Sequence, residues 1–96
     1  MQKTEITLDT VIQQNHEILA SDLDGEKVMM SIHHGEYYGL GKTGTFIWDQ
    51  IEQPVKISDL IKRITEKYNI DKEQCFKDIS VFIMDLIEKD LIIVTY

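Results

Sequence analysis

The sequence is poor in basic residues. Lysine and arginine together number 10, against 17 aspartates and glutamates, which gives a formal net charge of −7. Nucleic-acid binding needs a basic face to meet the phosphate backbone, so this balance argues against a nucleic-acid partner. An acidic surface is instead complementary to a basic peptide. The shortage of positive charge therefore favours a peptide partner over DNA or RNA.

Cysteine pairs, long apolar runs and a signal segment are also missing. Cys75 is the single cysteine, so no disulfide can form within the chain, which is typical of a reducing cytoplasm. No apolar run approaches the ~20 residues that span a bilayer. The opening segment, MQKTEITLDT, lacks the basic and apolar regions of a secretion signal. We expect a soluble, cytoplasmic protein that does not associate with membranes.

The residue patterns of catalytic and metal sites are incomplete. The run GLGKTGT resembles part of a phosphate-binding loop, but Glu36 stands where that motif needs its first glycine. We interpret the run as a glycine-rich turn between a strand and a helix. His33 and His34 make a poor metal site because adjacent side chains of a strand point to opposite faces. Cys75 falls on the apolar stripe of a helix, where cysteine acts as a small hydrophobe. We therefore expect no catalytic residue, metal or other cofactor.

The N-terminal part of the chain contains several segments in which apolar and polar residues alternate, a pattern typical of strands. Its 96 residues and 43% apolar content predict one domain over residues 1–96. Strands are predicted over residues 6–12, 17–23, 26–33 and 36–40, with a connection over 13–16 and turns at Asp24-Gly25 and His34-Gly35. We predict that the strand over residues 36–40 leaves one edge open to receive an extended peptide.

The following segments predict two helices. Residues 46–51 form a short helix that ends before Pro54, because proline biases the preceding residue away from the helical region. Ser58 is the predicted N-cap of the second helix, and Asp59 in its first turn complements the helix dipole. Asn69 tolerates the left-handed conformation and is the predicted end of that helix.

The last third of the chain predicts a third helix and a terminal strand. Asp71, with Gln74 three residues later, is similar to a capping box. One broad core-facing stripe follows, formed by Cys75, Ile79, Phe82, Ile83 and Leu86. Residues 91–96 are β-branched and could pair with residues 6–12. The predicted fold is an α+β domain, in which a small antiparallel sheet packs on three helices.

Two pairs of carboxylates share a helical face. Asp49 and Glu52 are interpreted as part of a solvated surface. Asp78 and Asp85 flank the core stripe of the third helix, where they could meet basic groups of a peptide lying along it. The alternative is that they are surface charges that only aid solubility, since exposed ion pairs are weak.

The aromatic residues allow an RNA-stacking surface or an ordinary core. Four of them could stack on bases in an RNA-binding sheet, namely Tyr37, Tyr38, Trp48 and Phe82. The acidic charge disfavours that function. We predict that Tyr38, Trp48 and Phe82 pack the core, and that Tyr37 lines a surface groove.

The order of these segments resembles the PqqD-like family, also known as the RiPP precursor peptide recognition element. The resemblance covers roughly residues 16–93 through GEYYGLGKTGTFIWDQIE, VKISDLIKRITEKYNI and CFKDISVFIMDLIEKDLI. Its most specific positions are Tyr38, Leu40, Gly44, Trp48, Asp78, Phe82, Leu86, Leu91 and Ile92. The opening ITLDTVI is similar to stand-alone members from lasso peptide pathways. Gly41 departs from the pattern, because a polar residue is expected at the start of the first helix.

The resemblance implies a winged helix-turn-helix-like fold with a three-stranded antiparallel sheet followed by three helices. It implies a non-catalytic adaptor that binds the leader of a lasso precursor peptide as an added strand, between the third strand and the third helix. Its further partners would be the cysteine leader peptidase of the pathway and the lasso cyclase. The peptide-binding residues would be Glu36, Tyr37, Tyr38, Gly39, Leu40, Asp78, Val81, Phe82, Asp85 and Leu86.

Two alternatives stay open from the sequence. The layout of the second and third helices is compatible with a DNA-binding winged-helix regulator, although a recognition helix should be more basic than this one. A small enzyme that uses Cys75 or the histidines is disfavoured, because no nucleophile, base and orienting residue occur together.

Overall fold

The computed structural model describes residues 6–31 and 35–95. In chain order the elements are β1 Val11–Gln14, β2 Leu19–Leu23, β3 Glu26–Ser31, β4 Glu36–Gly39, α1 Gly41–Gln50, β5 Val55–Lys56, α2 Ile57–Tyr68, α3 Lys72–Glu88 and β6 Ile92–Thr95. The strands form two antiparallel three-stranded sheets, of order β2-β3-β4 and β5-β1-β6. The predicted α+β class, with a three-stranded sheet followed by three helices, is confirmed. The predicted turn residue His34 lies outside the described residues.

The β2-β3-β4 sheet is built from consecutive hairpins. Asp24 and Gly25 both have positive φ, at 55° and 83°, which suits the two-residue turns whose twist matches the flanking strands. Leu23 pairs with Glu26 across this turn, so the predicted turn is confirmed. In the next hairpin Met29 pairs with Tyr38.

The buried face of β3 is not its more apolar face. Met29 and Ser31 are fully buried, whereas Val28 and Met30 are half-buried. Thr45 of α1 accepts a hydrogen bond of 2.7 Å from the backbone N–H of Lys27, which holds α1 against β3. Packing against α1 therefore decides which face of β3 is buried.

The second sheet places β1 between the short strand β5 and the terminal strand β6. Ile12 pairs with Val55 on one side and with Val94 on the other, so the predicted pairing of the two ends of the chain is confirmed. The predicted bounds of the first strand are wrong. Residues 7–10 form a turn, closed by hydrogen bonds between Thr7 and Thr10, and the strand extends instead into the predicted connection.

Helix α1 begins at Gly41, where the family resemblance places its start and five residues before the start predicted from the residue pattern. Thr45 donates a hydrogen bond of 2.6 Å to the carbonyl oxygen of Gly41, and no side chain caps the helix. Gly44 therefore lies inside α1, and not in the predicted glycine-rich turn. The helix ends at Gln50, ahead of Pro54 as predicted, so Glu52 does not share a helical face with Asp49.

Helix α2 is capped by the backbone of a distant segment. Ile57 is its first residue, and the N–H groups of Ile57 and Ser58 donate to the carbonyl oxygens of Thr10 and Leu8, at 2.8 and 3.0 Å. The predicted N-cap at Ser58 is wrong, because Lys56 is the N-cap and these long-range bonds satisfy the first two N–H groups of the helix. The predicted end is confirmed, since Asn69 is left-handed with φ of 55°.

Helix α3 begins as predicted. Asp71 is its N-cap, and its carboxylate accepts from the N–H of Gln74 at 3.1 Å. The side chain of Gln74 bonds to Asp78 at 2.9 Å, so the reciprocal half of the capping box is not formed. The core stripe of the helix consists of Cys75, Ile79, Ile83 and Leu86. In the described part of the chain, no helix combines the length and apolar character needed to cross a membrane.

Candidate functional site

Strand β4 presents an open edge. It ends the strand order β2-β3-β4, and among the described residues only β3 pairs with it. The N–H of Leu40 donates to the carbonyl oxygen of Lys27 at 3.0 Å, so this N–H points toward β3. Because these directions alternate along an antiparallel strand, the N–H and C=O groups of Tyr37 and Gly39 point away from β3, to the open edge.

One stripe of α3 lies beside the core stripe. Asp78, Phe82, Asp85 and Lys89 fall at i, i+4, i+7 and i+11, a spacing that places them along one face of a helix. Phe82 is half-buried and packs against the core. The two aspartates are exposed. This stripe carries an apolar centre with charged side chains at its ends.

A chain of four side chains joins β4 to the end of α3. Lys89 pairs with Asp85 at 2.6 Å, and its ammonium nitrogen lies 4.8 Å from the centre of the Tyr38 ring. Tyr38 in turn donates a hydrogen bond of 2.7 Å to the carboxylate of Glu36. The structure therefore brings together three predicted site residues and one that the sequence interpretation missed, Lys89. Its spacing of four residues from Asp85 was the available signal.

The tyrosine in this chain is held in its neutral form. The hydrogen bond to Glu36 raises the pKa of the Tyr38 phenol, and burial and the negative charges of Glu36 and Asp85 raise it further. A neutral phenol retains the proton that it donates to Glu36, and its ring contacts the Lys89 ammonium group. The contact between Tyr38 and Lys89 thus brings β4 against the end of α3.

The two aspartates of α3 differ in their surroundings. The charge of Asp85 is balanced by Lys89. Asp78 bonds to the neutral amide of Gln74, and no ion pair to it occurs among the described residues. Only Asp78 therefore presents an uncompensated negative charge along this stripe.

Two predicted groove residues lie elsewhere. Tyr37 is 72% exposed, but its side chain is on the face of the sheet opposite Tyr38, because side chains alternate along a strand. It therefore does not form a wall toward α3. Leu86 is 1% exposed and belongs to the core. Val81 is 73% exposed and lies at the outer margin of the α3 stripe.

The other candidate chemistry finds little support. Within residues 6–31 and 35–95 no group of three or more His, Cys, Asp or Glu side chains could hold a metal ion, and the pair His33-His34 lies outside them. Burial, with a smaller contribution from Asp78, raises the pKa of the Cys75 thiol. A buried protonated thiol is a poor nucleophile. The run GLGKTGT joins β4 to α1: Gly39 ends the strand, Leu40 is the N-cap, and residues 41–45 begin the helix.

Comparisons with known proteins agree with this architecture. The family model for coenzyme PQQ synthesis protein D (PqqD) matches residues 26–92. No curated protein matches the sequence. A solved structure, TbiB1 in complex with the TbiA(beta) leader peptide, has a similar fold, with a TM-score of 0.76 and 24% sequence identity. The similarity covers 83% of this chain and 93% of that chain. The predicted resemblance is confirmed, and this chain belongs to the PqqD family.

Proposed function

We propose that this chain is a non-catalytic adaptor that binds the leader segment of a ribosomally synthesised precursor peptide. The observation that carries the proposal is the open edge of β4 beside the α3 stripe, in a chain of the PqqD family. The similarly folded TbiB1 was solved with a leader peptide, which supports the same class of ligand here. The leader would add to β4 as a further strand.

Main-chain hydrogen bonds would supply sequence-independent affinity. Tyr37 and Gly39 each offer one outward N–H and one outward C=O. Each hydrogen bond formed contributes about 0.5–1.5 kcal/mol net, because the same groups were bonded to water before binding. Alternate side chains of the added strand would then point toward α3, and the pockets they fill set specificity.

The side chains of the groove would select the leader. We propose that apolar leader residues contact Leu40 and Phe82, and that Val81 lines the outer margin. Tyr37 would contact the added strand from the opposite face of the sheet. The acidic surface favours a basic leader. The complete proposed set is Glu36, Tyr37, Tyr38, Gly39, Leu40, Asp78, Val81, Phe82 and Asp85, with Leu86 behind it in the core.

We further propose that the product is a lasso peptide and that the adaptor presents the precursor to two enzymes. A cysteine peptidase would remove the leader, and a cyclase would close the ring on the freed peptide. This part rests on the resemblance of the opening segment to stand-alone family members.

The alternative of a DNA-binding regulator fits the electrostatics less well. Exposed positions of α3 include Glu73, Asp78, Asp85 and Glu88, and a duplex phosphate backbone would be repelled by them. Salt-dependent binding to duplex DNA in a gel-shift assay would favour this alternative instead.

Calorimetric titration tests the proposal. The ligand is a synthetic peptide that covers the leader of the precursor encoded in the same gene cluster, and a scrambled peptide of equal composition is the control. We expect a dissociation constant in the micromolar range or tighter for the leader and at least tenfold weaker binding of the scrambled peptide. Equal affinities, or no binding to folded protein, would contradict the proposal.

A further inference from the structure

A cleft between α1 and α3 continues from the end of β4. It consists of two cavities, of ≈ 250 and ≈ 230 Å³, that meet because both are lined by Thr43, Ile47, Asp78 and Ile79. We call this the α1–α3 cleft. It shares Leu40, Asp78 and Phe82 with the proposed leader site, and it extends past the end of β4 to residues that the leader-binding hypothesis has not used.

The α1–α3 cleft begins where a strand paired with β4 would leave the sheet. Its first cavity is lined by Leu40, the residue that directly follows β4, and by Phe82 of the α3 stripe. Its second cavity reaches Tyr68, the last residue of α2, and Ile70 beyond it. An extended peptide that passes the end of β4 therefore meets the mouth of the cleft.

The floor and far end of the cleft are apolar. Ile47 and Ile79 are buried beneath it, at 3% and 4% exposure. Tyr68 and Ile70 remain 37% and 40% exposed at its far end. Apolar surface of this kind gains free energy when an apolar side chain covers it. The cleft therefore fits an apolar side chain of the peptide.

The wall of the cleft carries one uncompensated charge. Asp78 lines both cavities, and its described hydrogen bond is to the neutral Gln74 amide. Asp85, by contrast, is already paired with Lys89. A basic side chain entering from the peptide would gain more by pairing with Asp78 than by displacing Lys89 from Asp85.

We propose that the α1–α3 cleft is a second part of the peptide site. It takes the segment that adjoins the strand-paired one, with an apolar side chain over Ile47 and Ile79 and a lysine or arginine at Asp78. This inference rests on the proposed leader binding. It assigns part of the specificity to leader residues outside the segment that pairs with β4.

Blocking the cleft tests the inference. Thr43 is exposed at the junction of the two cavities, so Thr43→Trp fills it without a change of charge. Thr95→Trp is the matched control, because Thr95 is exposed on β6 in the other sheet. Both variants are titrated with the complete leader and with leaders shortened by a few residues at either end. Circular dichroism and melting confirm the fold of each variant.

We expect Thr43→Trp to weaken binding of the complete leader by roughly tenfold, the contribution of one buried apolar side chain. The control Thr95→Trp should bind like the wild type. One shortened leader should have lost the cleft-bound segment, and its affinity should no longer differ between Thr43→Trp and the wild type. If Thr43→Trp binds the complete leader as the wild type does, the inference is overturned and the proposed function stands. If the wild type itself binds no leader, both are overturned.

A second pair of variants tests the charge without filling the cleft. Asp78→Asn and Asp85→Asn keep the size of each side chain. We expect Asp78→Asn to weaken leader binding by about two- to fivefold, with a shallower salt dependence, and Asp85→Asn to have the smaller effect. An effect of Asp85→Asn equal to or larger than that of Asp78→Asn would contradict the assignment of the basic side chain to Asp78.

Discussion

Gly44 is the residue that allows α1 to approach α3. A Cβ at this position would lie 3.0 Å from the Cβ of Leu40 and 3.1 Å from the Phe82 ring, which is closer than ordinary van der Waals contact. Alanine normally stabilises the interior of a helix relative to glycine by about 1 kcal/mol. Here the added methyl group must displace an aromatic side chain that packs against the core.

We predict that Gly44→Ala lowers the free energy of unfolding by about 1 kcal/mol, because overpacking outweighs the gain in helix propensity. Urea denaturation measures the change. The double variant with Phe82→Leu is the control, since removing the ring atoms should make the same methyl group less costly. A Gly44→Ala protein more stable than the wild type would contradict the close approach of Gly44 to Phe82.

Tyr38 gives a prediction in alkaline solution. Its pKa is raised above the ordinary value of 10.0 in the folded protein, so the stability that its hydrogen bond contributes is fully present below pH 10. That contribution is lost as the pH rises through the raised pKa. Subtracting the ultraviolet titration of Tyr38→Phe from that of the wild type isolates Tyr38 from the other tyrosines. We expect Glu36→Ala to lower its pKa, and an unchanged titration would contradict the bond between the two side chains.

At the scale of single residues, the sequence patterns predicted which residues lie on β4 and α3 better than they predicted which side chains contact each other. Asp85 was identified as a groove residue, and its spacing of four residues from Lys89 signals their pairing, but the contact of Lys89 with Tyr38 depends on how β4 lies against α3. Tyr37 was assigned to the groove wall, although alternation along β4 places its side chain opposite Tyr38. The prediction that Tyr38 packs against the core while Tyr37 stays at the surface agrees with the structure, and the error lay in assigning both side chains to one groove.

Strand β4 is the element on which the proposed function depends. Gly39 has an outward N–H, and an added Cβ there would meet no atom within 4 Å. Proline is tolerated on edge strands when the missing N–H would face solvent. Substitution of Gly39 can therefore remove one outward donor while the bonds to β3 stay in place.

We predict that Gly39→Pro weakens leader binding by roughly tenfold, through the lost hydrogen bond and the obstructed edge. Gly39→Ala keeps the N–H and is the matched control, with near wild-type binding. Calorimetry gives both affinities, and melting temperatures show whether the sheet is intact. Equal binding by a well-folded Gly39→Pro protein would argue against strand addition at β4.

The starts of the helices show which elements could be predicted from the sequence. The cap of α3 was predicted correctly because it is local, with Asp71 bonded to the N–H of Gln74 three residues later. The cap of α2 was not, because its partners are the carbonyl oxygens of Leu8 and Thr10, far away in the chain. A local sequence signal predicts a helix cap only where the capping hydrogen bonds join residues that are close in the chain.

At the scale of the whole molecule, the class and order of elements followed from periodicity. The division of the strands into two sheets did not. Strand β5 has only two residues, Val55 and Lys56, too few for a recognisable alternation, and it exists because β1 pairs with it. The α1–α3 cleft was also hidden, since it depends on how closely two helices approach around Gly44.

The central claim is that a leader peptide becomes a new strand on β4, and amide hydrogen exchange measured by NMR tests it most directly. In the free protein the N–H of Tyr38 is bonded within the sheet, whereas those of Tyr37 and Gly39 point to the open edge. With saturating leader peptide, we expect the amides of Tyr37 and Gly39 to become protected and that of Tyr38 to change little. A saturated complex in which Tyr37 and Gly39 exchange as fast as in the free protein would contradict the account.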